Sequence, residues 1–179
     1  MPVAGYNVQG GRNDWQTPPE LVNKILEAFG VKKFDLNPAC SEKNIPAKRY
    51  LTAQEDGLVQ PWGGLCFLNP PYDKRYMNDW MRKARTEGEK EGTTVVCLVY
   101  TRSDNKWWHG NVCDASAVVL IKGRINFIGG TSSSTCPSCL VIFGKVSEEV
   151  LKNLSGLGMV LKVAYSCADK PLTPEEIQA

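Results

Sequence analysis

The stretch Leu65-Cys66-Phe67-Leu68-Asn69-Pro70-Pro71-Tyr72 decides how this chain is read. Four apolar residues in a row predict a short buried strand, and an amide followed by two prolines ends it abruptly. Each proline fixes its φ angle and removes a backbone donor. Asn69, just before a proline, is driven to an extended conformation. The chain therefore leaves the strand in a stiff loop with a carboxamide at one end and an aromatic ring at the other.

Outward from this loop, helical and strand patterns alternate. Thr17 reads as an N-cap with Pro18 at the first helical position and Glu20 behind it. Leu21, Val22, Ile25, Leu26 and Phe29 form the stripe of that helix, and Gly30 ends it. Residues 33–36 read as a short strand broken by Asn37-Pro38, and 50–52 as another, followed by a turn at Glu55-Asp56-Gly57. Residues 76–90 form an amphipathic helix with Met77, Trp80, Met81 and Ala84 on one face. Thr93–Tyr100 is a buried strand, and 103–112 reads as helix. Three further strands are expected at Ala117–Ile121, 124–128 and 138–143, then a helix at 147–155 and a last strand at 159–165. The alternation predicts an α/β sheet, parallel in its first part and antiparallel where the strands crowd together near the C-terminus. In open α/β sheets ligands bind beyond the carboxyl ends of the strands. The three oddest loops, Asn37-Pro38-Ala39-Cys40, Asp56-Gly57 and Asn69-Pro70-Pro71-Tyr72, all fall there.

The 179 residues suffice for one domain: 1–13 read as an arm, 14–166 as the domain and 167–179 as a polar tail. With 42% apolar and 22% charged residues the composition is that of a globular protein. No apolar run nears the ~20 residues a membrane helix needs, so no membrane partner is expected. The first residues hold no apolar core of a secretory signal, which points to the cytoplasm. The seven cysteines, odd in number and irregular in spacing, then read as reduced thiols. Cys136 and Cys139 form a C-x-x-C pair, but zinc needs two more ligands at suitable spacing, so no metal is expected. His109, the sole histidine, reads as a surface residue. A net charge of +2 neither requires nor excludes nucleic acid, and nothing in the sequence sets an oligomeric state.

The loop itself suggests chemistry. The Asn69 amide oxygen and the Pro70 carbonyl are two acceptors a few residues apart, suited to an exocyclic NH₂ group with two hydrogens to give. Tyr72 can stack on the flat ring that carries it. Adenine N6 and cytosine N4 both fit, and in a duplex either base must be flipped out to be reached. Drawing the hydrogens toward two acceptors localises the nitrogen lone pair, which can attack an electrophile held in line.

The motifs around the loop are Trp15-Gln16-Thr17-Pro18, Asp35-Leu36-Asn37-Pro38-Ala39, Glu55-Asp56-Gly57-Leu58, Asn69-Pro70-Pro71-Tyr72, Arg102, Trp107-Trp108 and Gly123-Arg124-Ile125-Asn126-Phe127. In this order they resemble amino-methyltransferases that use S-adenosylmethionine (AdoMet), most closely the small phage-type DNA N6-adenine methyltransferase (Dam-like) family. The resemblance runs from about residue 14 to 144.

That resemblance implies a compact, Rossmann-like AdoMet-dependent methyltransferase sheet, mostly parallel with antiparallel C-terminal strands. It implies a site-specific, adenine-specific DNA methyltransferase with AdoMet as cofactor and DNA as partner, acting in the host-cell cytoplasm if phage-encoded, and a role in protecting phage DNA from restriction. Asn69, Pro70, Pro71 and Tyr72 are the expected catalytic residues. Trp15, Thr17, Asp35, Asn37, Pro38 and Asp56 are the expected cofactor contacts; for Thr17 the N-cap reading stands beside this one. Lys74, Arg75, Arg102, Trp108 and Arg124 are the candidates for DNA or the target base. The chain also departs from the family pattern. Asn37 stands where a carboxylate is usual, which leaves Asp35 as the acidic candidate. Glu42 is the stand-in for a ribose-binding acid, no glycine-rich loop is present, and there is no separate target-recognition domain. Other readings keep the fold but change the role: a DNA-binding or decoy module without cofactor, or transfer to cytosine N4, RNA or a protein glutamine.

Overall fold

The computed structural model describes residues 16–129, 134 and 136–164. Trp15, the arm, the tail and most of the serine- and threonine-rich stretch 131–135 lie outside the described residues, as do both expected domain boundaries.

Among the described residues seven strands form one sheet: β1 (Phe34–Asn37), β2 (Ala47–Tyr50), β3 (Gly64–Leu68), β4 (Thr93–Tyr100), β5 (Ala117–Ile121), β6 (Ser138–Gly144) and β7 (Gly158–Lys162). Their order is β2-β1-β3-β4-β6-β5-β7. The first four run parallel, and β6, β5 and β7 join through antiparallel pairs. β3 and β4 are in register from Gly64 opposite Thr93 to Leu68 opposite Cys97, so the exit of β3 into the Asn-Pro-Pro-Tyr loop lies beside the last turns of β4.

Four helices cover the two faces: α1 (Pro19–Phe29), α2 (Met77–Gly88), α3 (Lys106–Asn111) and α4 (Glu148–Leu154). β4 shows why both faces must be covered. Val96 and Leu98 point into a core shared with Leu21, Val22, Ile25 and Leu26 of α1 and Leu151 and Leu154 of α4. Val95, Cys97 and Val99 point the other way, against Met77, Trp80, Met81 and Ala84 of α2. The strand alternates faces every residue and the helix returns every three or four, so these side chains meet in a three-layer α/β/α stack. Phe67, fully buried and stacked on Phe34 at 5.0 Å, is typical of the packing. Each such ring is worth roughly 1.5–3 kcal/mol of burial.

Several expectations are corrected. Thr17 does not cap α1: the cap position is Pro18, no side chain caps it, and the amides of Leu21 and Val22 bind the Pro18 carbonyl. The second strand lies at 47–50 rather than 50–52; Leu51 still donates to the Asn37 carbonyl, and the chain then enters the turn at 53–55. Residues 124–128 are not a strand. Ile125 and Phe127 are buried with exposed neighbours, as in a strand, but β6 and β7 occupy both edges of β5. Only Ile128 pairs, as an isolated antiparallel bridge with Gln16.

Candidate active site

Two clefts open where the parallel strands end, and the loop after β3 is the wall between them. The first is lined by the chain ends of β1, β2 and β3 together with Gln16, Thr17, Asp56, Gly57 and Trp80. Asn69, Pro70 and Pro71 face this cleft. The second is lined by Tyr72, Asp73, Lys74, Met77, Tyr100, Arg102, Lys106 and Trp107 among others.

The first cleft is set by backbone bonds. Asn37, only 3% exposed, accepts a bond from the Ala39 amide across Pro38 at 3.3 Å, which fixes the turn out of β1. Cys40 N–H binds Leu51 O and Leu51 N–H binds Asn37 O, each at 2.9 Å, which ties the β1 and β2 exits together. Asp56 adopts the left-handed conformation (φ 53°), and its carboxylate accepts from the Leu58 amide at 3.0 Å. Asx residues tolerate that conformation because such local bonds offset its cost. Gly57 follows because nothing larger fits: a Cβ there would strike the Pro38 carbonyl and the Trp80 ring. The Gly57 carbonyl accepts from the Trp62 indole at 2.8 Å, and Trp62 stacks on Trp80 at 6.3 Å. Beneath them lies Glu87, its side chain 2% exposed, accepting from the Trp62 amide at 3.1 Å and paired with Lys83 and Lys90 at 2.6 Å each. Burial pushes the Glu87 carboxyl up, but the bonds from Lys83 and Lys90 outweigh it and hold the group below its usual range. On the opposite rim the Gln16 amide bonds Glu42.

The NPPY loop joins the clefts. The Asn69 Nδ2 donates to Thr17 Oγ1 at 3.3 Å. Among the described residues none donates to the Pro70 carbonyl. Tyr72 is half-buried, its ring 4.3 Å from that of Tyr100 and edge-on to Phe127 at 6.4 Å. Burial pushes its phenol well above the ordinary value, so it stays protonated and donates to Leu98 O at 3.2 Å.

Charge divides the two clefts. Among the described lining residues the first has carboxylates at Glu42 and Asp56 and no Lys or Arg. The second has Lys74, Arg102 and Lys106, all exposed, against Asp73 and Asp104. Asp73 is already spent: the Arg75 guanidinium, at 2.6 Å, holds its carboxyl down at about 2.

Of the expected cofactor contacts, Thr17, Asn37, Pro38 and Asp56 meet in the first cleft and Trp15 lies outside the described residues. Asp35 is not brought there. It sits two positions before the end of β1, where its carboxylate braces the neighbouring strands by accepting from Lys48 Nζ and the Leu65 amide, both at 2.7 Å. Those bonds hold the carboxyl below its usual range. Lys74 and Arg102 line the second cleft, Arg75 is tied to Asp73, and Arg124 is exposed away from both. Trp107 lines the second cleft in place of Trp108, which packs edge-on against it at 5.6 Å. Sequence reading passed over Tyr100, which ends a buried parallel strand, the signal available for it.

No thiol is set up as a nucleophile here. Burial raises Cys40, which lines the first cleft, and pushes Cys66 up to about 12 and Cys139 to about 11. Among the described residues no group of His, Cys, Asp and Glu could hold a metal ion, and no helix is long and apolar enough to cross a membrane.

A half-parallel sheet with a polar cleft over its strand ends and an Asn-Pro-Pro-Tyr loop at the rim defines a Rossmann-like methyltransferase. The sequence model of the DNA N-6-adenine-methyltransferase (Dam) family matches residues 7–157, and the chain belongs to that family. It is thus an adenine-specific DNA methyltransferase, with DNA as its substrate. The DNA N-6-adenine-methyltransferase of Haemophilus phage HP1 is 29% identical over 136 residues, covering 72% of this chain and 77% of that protein. The DNA N-6-adenine-methyltransferase of Escherichia phage T1 is 24% identical over 148 residues, covering 81% of this chain and 60% of that protein.

Proposed function

We propose that this protein transfers a methyl group from AdoMet to the N6 amine of an adenine turned out of DNA, and that the NPPY loop holds the amine between the two clefts. The position of the loop as the common wall of both clefts carries this reading. The first cleft fits AdoMet in charge: a cationic sulfonium suits a site with two carboxylates and no Lys or Arg among its described lining residues. AdoMet, when bound, supplies an electrophilic methyl group. Glu42 is the acid for the hydroxyls of its ribose and Asp56 that for its adenine, and Asn37 and Pro38 shape the turn against which it lies.

On the other side of the wall, Tyr72 stacks on the base, with Tyr100 packed against its ring and the Tyr72 hydroxyl anchored on β4. The Asn69 amide oxygen and the Pro70 carbonyl accept the two amine hydrogens and point the lone pair toward the first cleft. Pro70 and Pro71 keep those acceptors rigid and bring no competing donor. Holding the reactants in this arrangement supplies several kcal/mol of the barrier. Lys74, Arg102 and Lys106 meet backbone phosphates, and Trp107 offers a second stacking surface. The reaction takes place in the cytoplasm of the cell that holds the DNA, a phage host on the evidence of the relatives' sources, and protects that DNA from restriction.

The test is mass spectrometry of nucleosides from plasmid DNA incubated with protein and AdoMet. N6-methyladenine should form, and Asn69→Ala should lower its rate by a hundredfold or more. Full activity in that variant would sink the mechanism.

A further inference from the structure

We propose that Asn78 contacts DNA in the second cleft, donating from its amide nitrogen to an acceptor of the nucleic acid, and that Asn111 is the positioning residue that turns this amide the right way round. The inference rests on the reading of the second cleft as the DNA site.

The direction of the Asn78 amide follows from a chain of bonds with one fixed end. A backbone carbonyl can only accept. The Trp107 carbonyl, bonded to the Asn111 side chain at 2.8 Å, therefore meets the Asn111 amide nitrogen and not its oxygen. The same nitrogen lies 3.2 Å from the Asn78 side chain. Its second hydrogen needs an acceptor, and a nitrogen there would set donor against donor, so the Asn78 atom that meets it is Oδ1. With the oxygen committed to Asn111, the Asn78 amino group is left to face elsewhere. Its hydrogens have no acceptor among the described residues.

The surroundings say where those hydrogens go. Asn111 is 2% exposed and does not line the second cleft; Asn78 is exposed and does, together with Tyr72, Tyr100 and Trp107. The oxygen is thus held at the junction of α2 and α3, and the amino group is left for the open cleft. Arg85 fastens the same junction a second time, donating to the Gly110 carbonyl at 3.0 Å and to Asp114 at 2.8 Å. One Asn111 nitrogen holds both the Asn78 amide and the Trp107 carbonyl, so the donor and the stacking residue keep a fixed relation. DNA offers acceptors to such a donor in its phosphate and sugar oxygens and on its base edges. Lys74, Arg102 and Lys106 supply charge, and a neutral amide fixed in direction adds register.

The experiment measures affinity for a labelled duplex by fluorescence anisotropy, AdoMet affinity by calorimetry without DNA, and thermal stability. Asn78→Ala removes the donor and should weaken DNA binding by about 3- to 10-fold, with AdoMet affinity within about twofold of the parent. Asn78→Asp keeps an acceptor for Asn111 but shows the DNA a carboxylate. Its DNA affinity should stay below the parent's even at raised salt, where plain charge repulsion is screened. A merely structural role predicts the reverse, recovery in Asn78→Asp of what Asn78→Ala loses. Asn111→Ala should weaken DNA binding by about 2- to 5-fold alone and by less than about twofold in the Asn78→Ala background. Unchanged DNA affinity in a folded Asn78→Ala protein would overturn the proposal, as would recovery in Asn78→Asp at raised salt. Arg102→Ala and Lys106→Ala separate the inference from its premise. If they weaken DNA binding and Asn78→Ala does not, only the role of Asn78 falls; if all three bind like the parent, the second cleft is not the DNA site. Where Asn78→Ala binds more weakly, the sites it methylates on plasmid DNA name the acceptor: an altered set means a base edge, the same set at uniformly lower rate means the backbone.

Discussion

The first cleft and the second meet within one loop, Asn69 to Pro71 lining the first and Tyr72 the second, but they are built in different ways. In the first, short side chains and backbone set the shape: an Asx turn at Asn37, a left-handed Asp56, a glycine pressed on Pro38, and paired loop amides. In the second, an aromatic floor of Tyr72, Tyr100 and Trp107 is edged by long exposed cations. The first suits one compact ligand of fixed shape and positive charge. The second suits a flexible polyanion whose bases stack and whose phosphates need only be near a cation. Rigidity and charge are sorted to opposite sides of one loop.

If this contrast is right, damage should stay on its own side. Gly57→Ala should have the largest effect, because the added methyl forces the Pro38 and Gly57 turns apart. AdoMet affinity should fall tenfold or more and stability by about 1–3 kcal/mol, with DNA affinity within about threefold. Unchanged AdoMet binding in a folded Gly57→Ala protein would remove the cofactor from this cleft. Trp107→Ala should act in mirror image. Loss of a stacking surface worth about 1–3 kcal/mol should raise the KM for DNA by about tenfold and leave AdoMet affinity unchanged. Gel-shift and calorimetry read the two halves of that prediction.

The smallest effect sharpens the contrast through pH. Glu87 supports the Trp62–Gly57 side of the first cleft, and its carboxyl lies below its ordinary value in the folded protein. Its contribution to stability is therefore complete above the ordinary value of 4.5 and is lost as pH falls through the lower folded value. Glu87→Gln should cost about 1–2 kcal/mol at pH 7 and flatten the acid limb of the stability curve. Denaturant titrations from pH 7 to pH 3 would show it; parallel curves for parent and variant would assign the acid limb to other groups.

The ends of Thr93–Tyr100 and Ala117–Ile121 were legible in the sequence because unbroken runs of β-branched and apolar residues admit few alternatives. The NPPY loop was legible for a similar reason, since two prolines leave little freedom. What escaped was set by distant partners. The alternation at 124–128 is real, but a strand also needs a ladder partner; both edges of β5, the strand before it, are taken by β6 and β7, and only Ile128 pairs, with Gln16. Thr17 before a proline obeys a local capping rule, while its partner lies 52 residues away. Asp35 carries the right chemistry for a cofactor, but its place on β1 commits it to Lys48 and Leu65. Trp107 and Trp108 are adjacent in sequence, and only the packing of α3 shows which one reaches the cleft.

The bridge between Gln16 and Ile128 also sets a timetable. Gln16 and Thr17 are among the first described residues to leave the ribosome, yet the backbone that clamps them arrives only with Ile128. At ~5–20 residues per second, that wait is on the order of ten seconds. Throughout it the loop after β3 can already exist. A nascent or truncated chain that stops short of Ile128 therefore carries the motif without that backbone bridge.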